Sequence, residues 1–287
     1  MNYLISRHPE KWQKFVEYTH RQIEELMTGY GHIDILWLDG GWVQPRSEEQ
    51  IRKELKEGVN DGYRPRYIQS QDINMPAIAA MARTHQPGLI IVDRTVTGRY
   101  ENYRTPEQEV PASPPEYLWE TCMTMATSWS YVPNDTYKPA RRLIHLLVDV
   151  VAKGGNFLLN VGPDPLGQLP DTALERMTEI GQWLRVNGEA IYGSRAIAPY
   201  KLDNICFTSL SGGRTNAIYL AGEEESAPPP VIRVRGLVPK AGGAVRMLGV
   251  RPPLHWRRSG DEAVVTIPEA LRKSPPCRHA WTLRFER

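Results

Sequence analysis

Apolar positions at helical spacing alternate with short apolar runs over the first two thirds of the chain. In residues 9–27, Trp12, Phe15, Val16, Thr19, Ile23 and Leu26 fall on one helical stripe, with Lys and Glu on the other faces. Gly29 and Gly31 end that helix. The run Ile33-Asp34-Ile35-Leu36-Trp37-Leu38-Asp39-Gly40-Gly41 comes next, and its dense apolar content predicts a strand covered on both faces. Residues 47–66 are rich in Glu, Lys and Arg and read as a loop with a short helix. Residues 76–85 predict a helix with Ile78, Met81 and Ala82 inward, broken by Pro87-Gly88. Leu89-Ile90-Ile91-Val92 is a second buried strand that runs into Asp93-Arg94. Residues 117–125 form a third strand. Pro139 opens a helix bearing Leu143, Leu146, Leu147, Val150 and Val151, which stops at Gly154-Gly155. Residues 156–161 form a fourth strand, and Pro170 opens a last helix closed by Asn187-Gly188.

Strands alternating with helices predict a parallel α/β core. Polar groups follow the apolar part of each strand, at Asp39, Asp93-Arg94, Glu120 and Asn160, as in a barrel whose loops at one face build the site. After Pro199 the pattern changes to short strands at residues 205–210, 215–220, 231–234, 245–248, 264–267 and 281–285, with no amphipathic helix between them. That is the pattern of a small antiparallel β-sandwich. The expected organisation is therefore a barrel-like domain over residues 1–198 and a sandwich over 199–287.

Composition narrows the function classes. A net charge of +2 gives no strong attraction to nucleic acid or to an acidic membrane surface. No apolar run approaches the roughly 18 residues of a membrane span. No basic region followed by a long apolar one marks a signal peptide, and the compartment stays open. Cys122, Cys206 and Cys277 are isolated and give neither a zinc spacing nor a disulfide framework. Eight Trp and thirteen Tyr against four Phe favour rings that stack on sugars, and equally serve as ordinary core residues.

Candidate chemistry rests on carboxylates. There is no G-x-S-x-G elbow, P-loop, dinucleotide fingerprint or metal-spaced histidine pair, so no cofactor or metal is expected. Asp39 ends a strand and precedes glycines, which suits both an open catalytic carboxylate and an aspartate that caps a turn. The loop after the second strand holds Glu101, Glu107 and Glu109, broken by Pro106 and Pro111. A carboxylate on a strand end with another on an overhanging loop suits glycoside hydrolysis, in which one attacks or activates water and the other protonates the leaving oxygen. Loop glutamates are also commonly no more than solvated charges.

Several motifs occur in order: Trp37-x-Asp39-Gly40, Asp93-Arg94, Thr105-Pro106-Glu107, Trp119-Glu120-Thr121, Gly155-Asn156-x-Leu158-Leu159-Asn160-x-Gly162-Pro163 and Asn187-Gly188-Glu189-Ala190-Ile191-Tyr192. The ordered set resembles the retaining α-L-fucosidases of glycoside hydrolase family 29, over nearly the whole chain. The resemblance implies an irregular (β/α)8 barrel followed by a β-sandwich, acting on fucosylated oligosaccharides or glycoconjugates. It implies Asp39 as the nucleophile and Glu107 as the general acid/base, with Glu101 in reserve. It implies that Trp37 lines the sugar pocket and that Arg94 donates hydrogen bonds to fucose hydroxyls. Trp42 or Trp37 would pack on the C5 methyl, and Glu120 would be structural.

The family's barrel starts well upstream of the nucleophile strand. Only about four barrel strands precede the sandwich here, where a complete TIM barrel has eight. The expectation is therefore a partial (β/α)8 TIM-like barrel, a fragment with little activity alone. The alternatives are a non-catalytic fucose- or glycan-binding remnant and a different retaining barrel glycosidase. Oligomeric state is left open.

Overall fold

The computed structural model describes residues 3–40, 43–57, 69–94, 98–240 and 243–286. The chain divides into two units, Met1–Thr105 and Pro106–Arg287.

In the first unit the predicted stripe becomes helix α1 (Pro9–Gly29), with Pro9 in its first turn. Strand β1 (Ile35–Leu38), helices α2 (Glu48–Glu57) and α3 (Met75–His85) and strand β2 (Ile90–Asp93) follow. β1 and β2 pair in parallel, Leu36 opposite Ile91 and Trp37 opposite Val92. Trp12, Val16, Ile23 and Met27 of α1 bury against Ile78, Ala79 and Ala82 of α3, together with Leu36 and Ile91. Met27, not the expected Leu26, fills the last place in the stripe: Met27 is buried and Leu26 is exposed. The buried Gln86 fixes where β1 starts. Its amide donates to the carbonyls of Met27 and Gly31, and its oxygen accepts the Ile33 N–H.

The expectation that the Asp39 strand is covered on both faces is corrected. Leu36 and Leu38 pack toward the α1/α3 core, while Ile35 is 46% exposed. Side chains alternate across a strand, so Trp37 shares the Ile35 face, opposite the helices.

In the second unit, β3 (Glu120–Thr124), α4 (Ala140–Ala152), β4 (Asn156–Asn160) and α5 (Asp171–Asn187) repeat the strand–helix rhythm, with β3 and β4 parallel. Gly155, just before β4, is set by packing: a Cβ there would lie 2.5 Å from the Trp119 ring. The Trp119 indole donates to the Lys153 carbonyl and locks the same turn.

Antiparallel strands follow. β5 (Arg195–Leu202), β6 (Ile205–Ser209), β7 (Thr215–Leu220), β9 (Val245–Met247) and β12 (Ala280–Phe285) form one sheet in the order β5-β6-β7-β12-β9. β8 (Val231–Arg235), β10 (Trp256–Ser259) and β11 (Glu262–Thr266) form a second, in the order β10-β11-β8. Phe207, Trp281, Leu283 and Phe285 of the first share a core with Ile232, Val234, Ala263 and Val265 of the second, which makes the expected sandwich. The five-stranded sheet is also covered on its other face, where Cys206, Ile218 and Ala280 pack on Ile144, Val148 and Trp183 of α4 and α5. Strand β5, unforeseen in the sequence, contains Pro199. It is tolerated because β5 is an edge strand whose register shifts between Ala196 and Lys201. Among the described residues a short α-helix, α6 (Glu269–Lys273), and a 3-10 turn at Ser211–Gly213 interrupt these strands.

Candidate active site

Asp39 follows the last residue of β1, so the parallel strand delivers it to the carboxyl end of the sheet. Its side chain is 67% exposed. Oδ1 accepts the Gly40 N–H at 2.9 Å and lies 3.6 Å from Arg94 Nη1. Gly40 has φ of 122°, a conformation that favours glycine, so the glycine after Asp39 is needed for the turn. Asp39 thus caps a turn and presents an open carboxylate at once, and the two readings of the sequence are compatible.

Arg94 leaves the adjacent strand end, its backbone N–H donating to the Leu38 carbonyl. Its guanidinium lies over the Trp37 ring, 4.9 Å from the centroid. Asp39, Arg94 and Trp37 therefore form one cluster, built by the parallel register of β1 and β2. Nε1 of Trp37 is buried and has no hydrogen-bond partner among the described residues. An unpaired buried donor is costly, and this one sits at the rim that carries Asp39 and Arg94. The sequence showed Trp37 as a ring; it could not show an idle N–H.

Glu101 belongs to the same unit. Its side chain is 10% exposed and accepts from Arg104 Nε at 3.0 Å. Glu107 belongs to the second unit, where its exposed residue bridges Cys122 of β3 in parallel. The Cys122 N–H donates to the Pro106 carbonyl and the Gln108 N–H to the Cys122 carbonyl. The segment expected to be a free loop is pinned along β3 at Glu107. Trp42 lies outside the described residues. Glu120 opens β3 and so stands at the strand's amino end, opposite Thr124, which corrects its place among the groups that follow the apolar part of a strand. The reason is register: the strand starts at Glu120, after Trp119.

At the carboxyl ends of β3 and β4, Lys138 donates to the carbonyls of Thr124 and Ala126. Burial, and then the charge of Arg142, hold its ammonium below the usual lysine range. Asn160 ends β4 with a buried side-chain oxygen that has no hydrogen-bond partner among the described residues. Among the described residues no group of His, Cys, Asp and Glu is arranged to hold a metal ion, and no helix is long and apolar enough to cross a membrane.

The parallel strand pair β1–β2 thus presents a carboxylate, an arginine and a tryptophan at one rim. The chain belongs to the alpha-L-fucosidase family, whose model matches residues 2–189. It is 26% identical to tissue alpha-L-fucosidase of Mus musculus over 283 residues, covering 96% of this chain and 58% of that protein. Over a shorter stretch of 94 residues, 32% of this chain, it is 44% identical to an alpha-L-fucosidase of Dictyostelium discoideum. Alpha-L-fucosidase isoenzyme 1 from Paenibacillus thiaminolyticus superposes with a TM-score of 0.73 at 26% identity, covering 96% of this chain and 63% of that one. The Thermotoga maritima alpha-fucosidase in complex with fucose gives a TM-score of 0.72 at 25% identity, covering 95% and 56%. The chain spans 56–63% of the mouse, Paenibacillus and Thermotoga relatives, and the shorter match covers 20% of the Dictyostelium protein.

Proposed function

We propose that the chain carries the nucleophile half of a retaining α-L-fucosidase site, in a partial (β/α)8 barrel whose division from the sandwich falls near residue 199. The observation that supports this most is the cluster of Asp39, Arg94 and Trp37 at one strand rim. The Asp39 carboxylate would attack C1 of an α-L-fucoside while Glu107 gives its proton to the departing oxygen. The C1–O bond breaks and a covalent fucosyl ester forms. Glu107 then takes a proton from water, the water oxygen attacks C1, and Asp39 leaves with net retention. The two carboxyls of such a pair stand about 5 to 5.5 Å apart. Glu101, held by Arg104, is the reserve for the proton-transfer role. Arg94 would donate to sugar hydroxyls beside the nucleophile, and the Trp37 N–H would take up another hydroxyl. Fucosylated oligosaccharides or glycoconjugates are the substrates this implies.

Four parallel strands stand among the described residues before the sandwich, half the number in a closed barrel. The 287-residue chain alone should therefore turn over 4-nitrophenyl α-L-fucoside at about 1% or less of the rate of a chimera that supplies the remaining β/α units from the Paenibacillus relative, since misplaced site groups cost on the order of 10²-fold. In that chimera, a 2-deoxy-2-fluoro-fucosyl inhibitor should add its mass to the peptide containing Asp39. Asp39→Asn should lose turnover by on the order of 10⁴. Labelling of another carboxylate, or turnover that survives Asp39→Asn, refutes the assignment. Binding of fucose without turnover in the chimera would point to a glycan-binding remnant.

A further inference from the structure

Away from Asp39, in the second unit, a cleft of about 610 Å³ opens at the start of α4. This lies within the roughly 300–1,000 Å³ range of small-molecule sites. Arg141 and Arg142 line it from the first turn of α4, His145 from the next turn, Arg176 and Glu179 from α5, and His279 from just before β12. Glu223 also lines it.

The charges do not cancel. Glu179 is occupied, accepting from Arg176 Nη1 at 3.0 Å and facing His279 Nε2 at 3.4 Å. Arg141 reaches the Glu223 backbone carbonyl through Nη1, and its Nε is buried with no hydrogen-bond partner among the described residues. Arg142 forms no hydrogen bond or ion pair with the described residues. Pro139, the cap of α4, makes no side-chain cap bond, so the first N–H groups of a 13-residue helix add the positive end of its dipole to the same rim. The field is felt locally: after burial, the charges of Arg141 and Arg142 hold His145 below its ordinary value.

Solvated surface arginines do not bury an unpaired Nε–H. Donors arriving from a helix end and from guanidinium forks suit an acceptor with three or four oxygens better than a planar carboxylate with two. We infer that this cleft binds one tetrahedral oxyanion, a sulfate or phosphate group, held by Arg141, Arg142 and the first turn of α4. The group would stand alone or as the ester of a small polar molecule that fills the rest of the cavity. His145 donates Nε2–H to the His279 carbonyl and closes the inner wall.

Calorimetric titration of the 287-residue chain at fixed ionic strength tests this, with sodium sulfate, sodium phosphate, glucose 6-sulfate and glucose 6-phosphate as probes and sodium chloride as the background salt. Saturable binding should appear, and Arg142→Gln should weaken it about tenfold, the loss of one charge-assisted hydrogen bond. Arg142 forms no hydrogen bond or ion pair with the described residues and its charge only opposes those of Lys138 and His145, so the thermal midpoint of that variant should not fall below the parent's. Tighter binding of an ester than of the free ion assigns the carrier molecule; equal binding assigns the free ion. No saturable binding of any probe overturns the inference, as does binding unchanged in both Arg142→Gln and Arg141→Gln. No fucoside is used, so the outcome is independent of the role of Asp39.

Discussion

Asp39 and His145 carry their titrating groups in opposite surroundings. Asp39 Oδ1 caps Gly40 and faces Arg94, but the carboxylate stays mostly in water. An exposed pair of this kind contributes about 0–1 kcal/mol, so stability is not the reason for its charge. His145 is the opposite case. Burial, and then the nearby charges, lower its proton affinity, against the hydrogen bond to the His279 carbonyl that raises it. The groups around it are Arg141 and Arg142 on its own helix, Arg176 and Glu179 on α5, and His279 before β12. A folded value below the unfolded value of 6.5 means that the unfolded chain binds more protons as pH falls. Stability is then full above that value and declines as pH drops through it. Thermal midpoints measured from pH 8 to pH 5 should fall on the acid side. His145→Gln keeps a donor for the His279 carbonyl and removes the titration, so its acid decline should be shallower. Identical slopes in parent and variant would rule out His145 as a contributor. The thiols are a related case: burial pushes Cys206 up to about 12 and Cys277 up to about 11, which suits packing rather than nucleophilic work.

Elements were legible where one periodicity ruled. The stripe of α1 could be read directly, because it buries one face against one core, whereas α4 gives Ile144 and Val148 to one core and Leu143 to another, so a single stripe read from its sequence misses the first two. β5 was not legible, since Pro199 breaks the strand signal and its tolerance depends on an edge position that only the sheet order reveals. Asp39, Trp37 and Arg94 were legible as strand-end residues. Their meeting depends on the β1–β2 register, and the pinning of Glu107 on Cys122 depends on tertiary pairing; neither is written in local sequence. The glycine of the Gly155-Asn156 motif has a structural cause. A side chain there meets Trp119, itself buried and bonded to the Lys153 carbonyl. Gly155→Ala should therefore destabilise the chain by about 1–3 kcal/mol through overpacking. Gly181→Ala, where nothing lies within 4 Å of the new Cβ, should stabilise α5 or leave it unchanged. Urea midpoints of the two variants check this, and equal midpoints would show that the Trp119 contact yields without cost.

At the scale of the molecule, the parallel strands expose more apolar surface than such strands ordinarily do. Ile35 of β1 is 46% exposed, Ile90 of β2 39% and Leu158 of β4 45%. Strands in parallel sheets are typically covered on both faces, and contiguous exposed apolar surface drives association in water. The five-stranded sheet of the sandwich shows what full cover looks like, with one core on each face. The sandwich and its helices should therefore hold their fold while the strand faces seek partners. Light scattering of the purified 287-residue chain should give an apparent mass that rises with protein concentration over the micromolar range. Ile35→Thr combined with Leu158→Thr keeps β-branched or strand-compatible side chains and removes apolar surface at two exposed places. This variant should scatter less at equal concentration with an unchanged far-ultraviolet circular dichroism spectrum. A monomer mass independent of concentration in the parent would show that these side chains are satisfied in water and that the strand faces seek nothing.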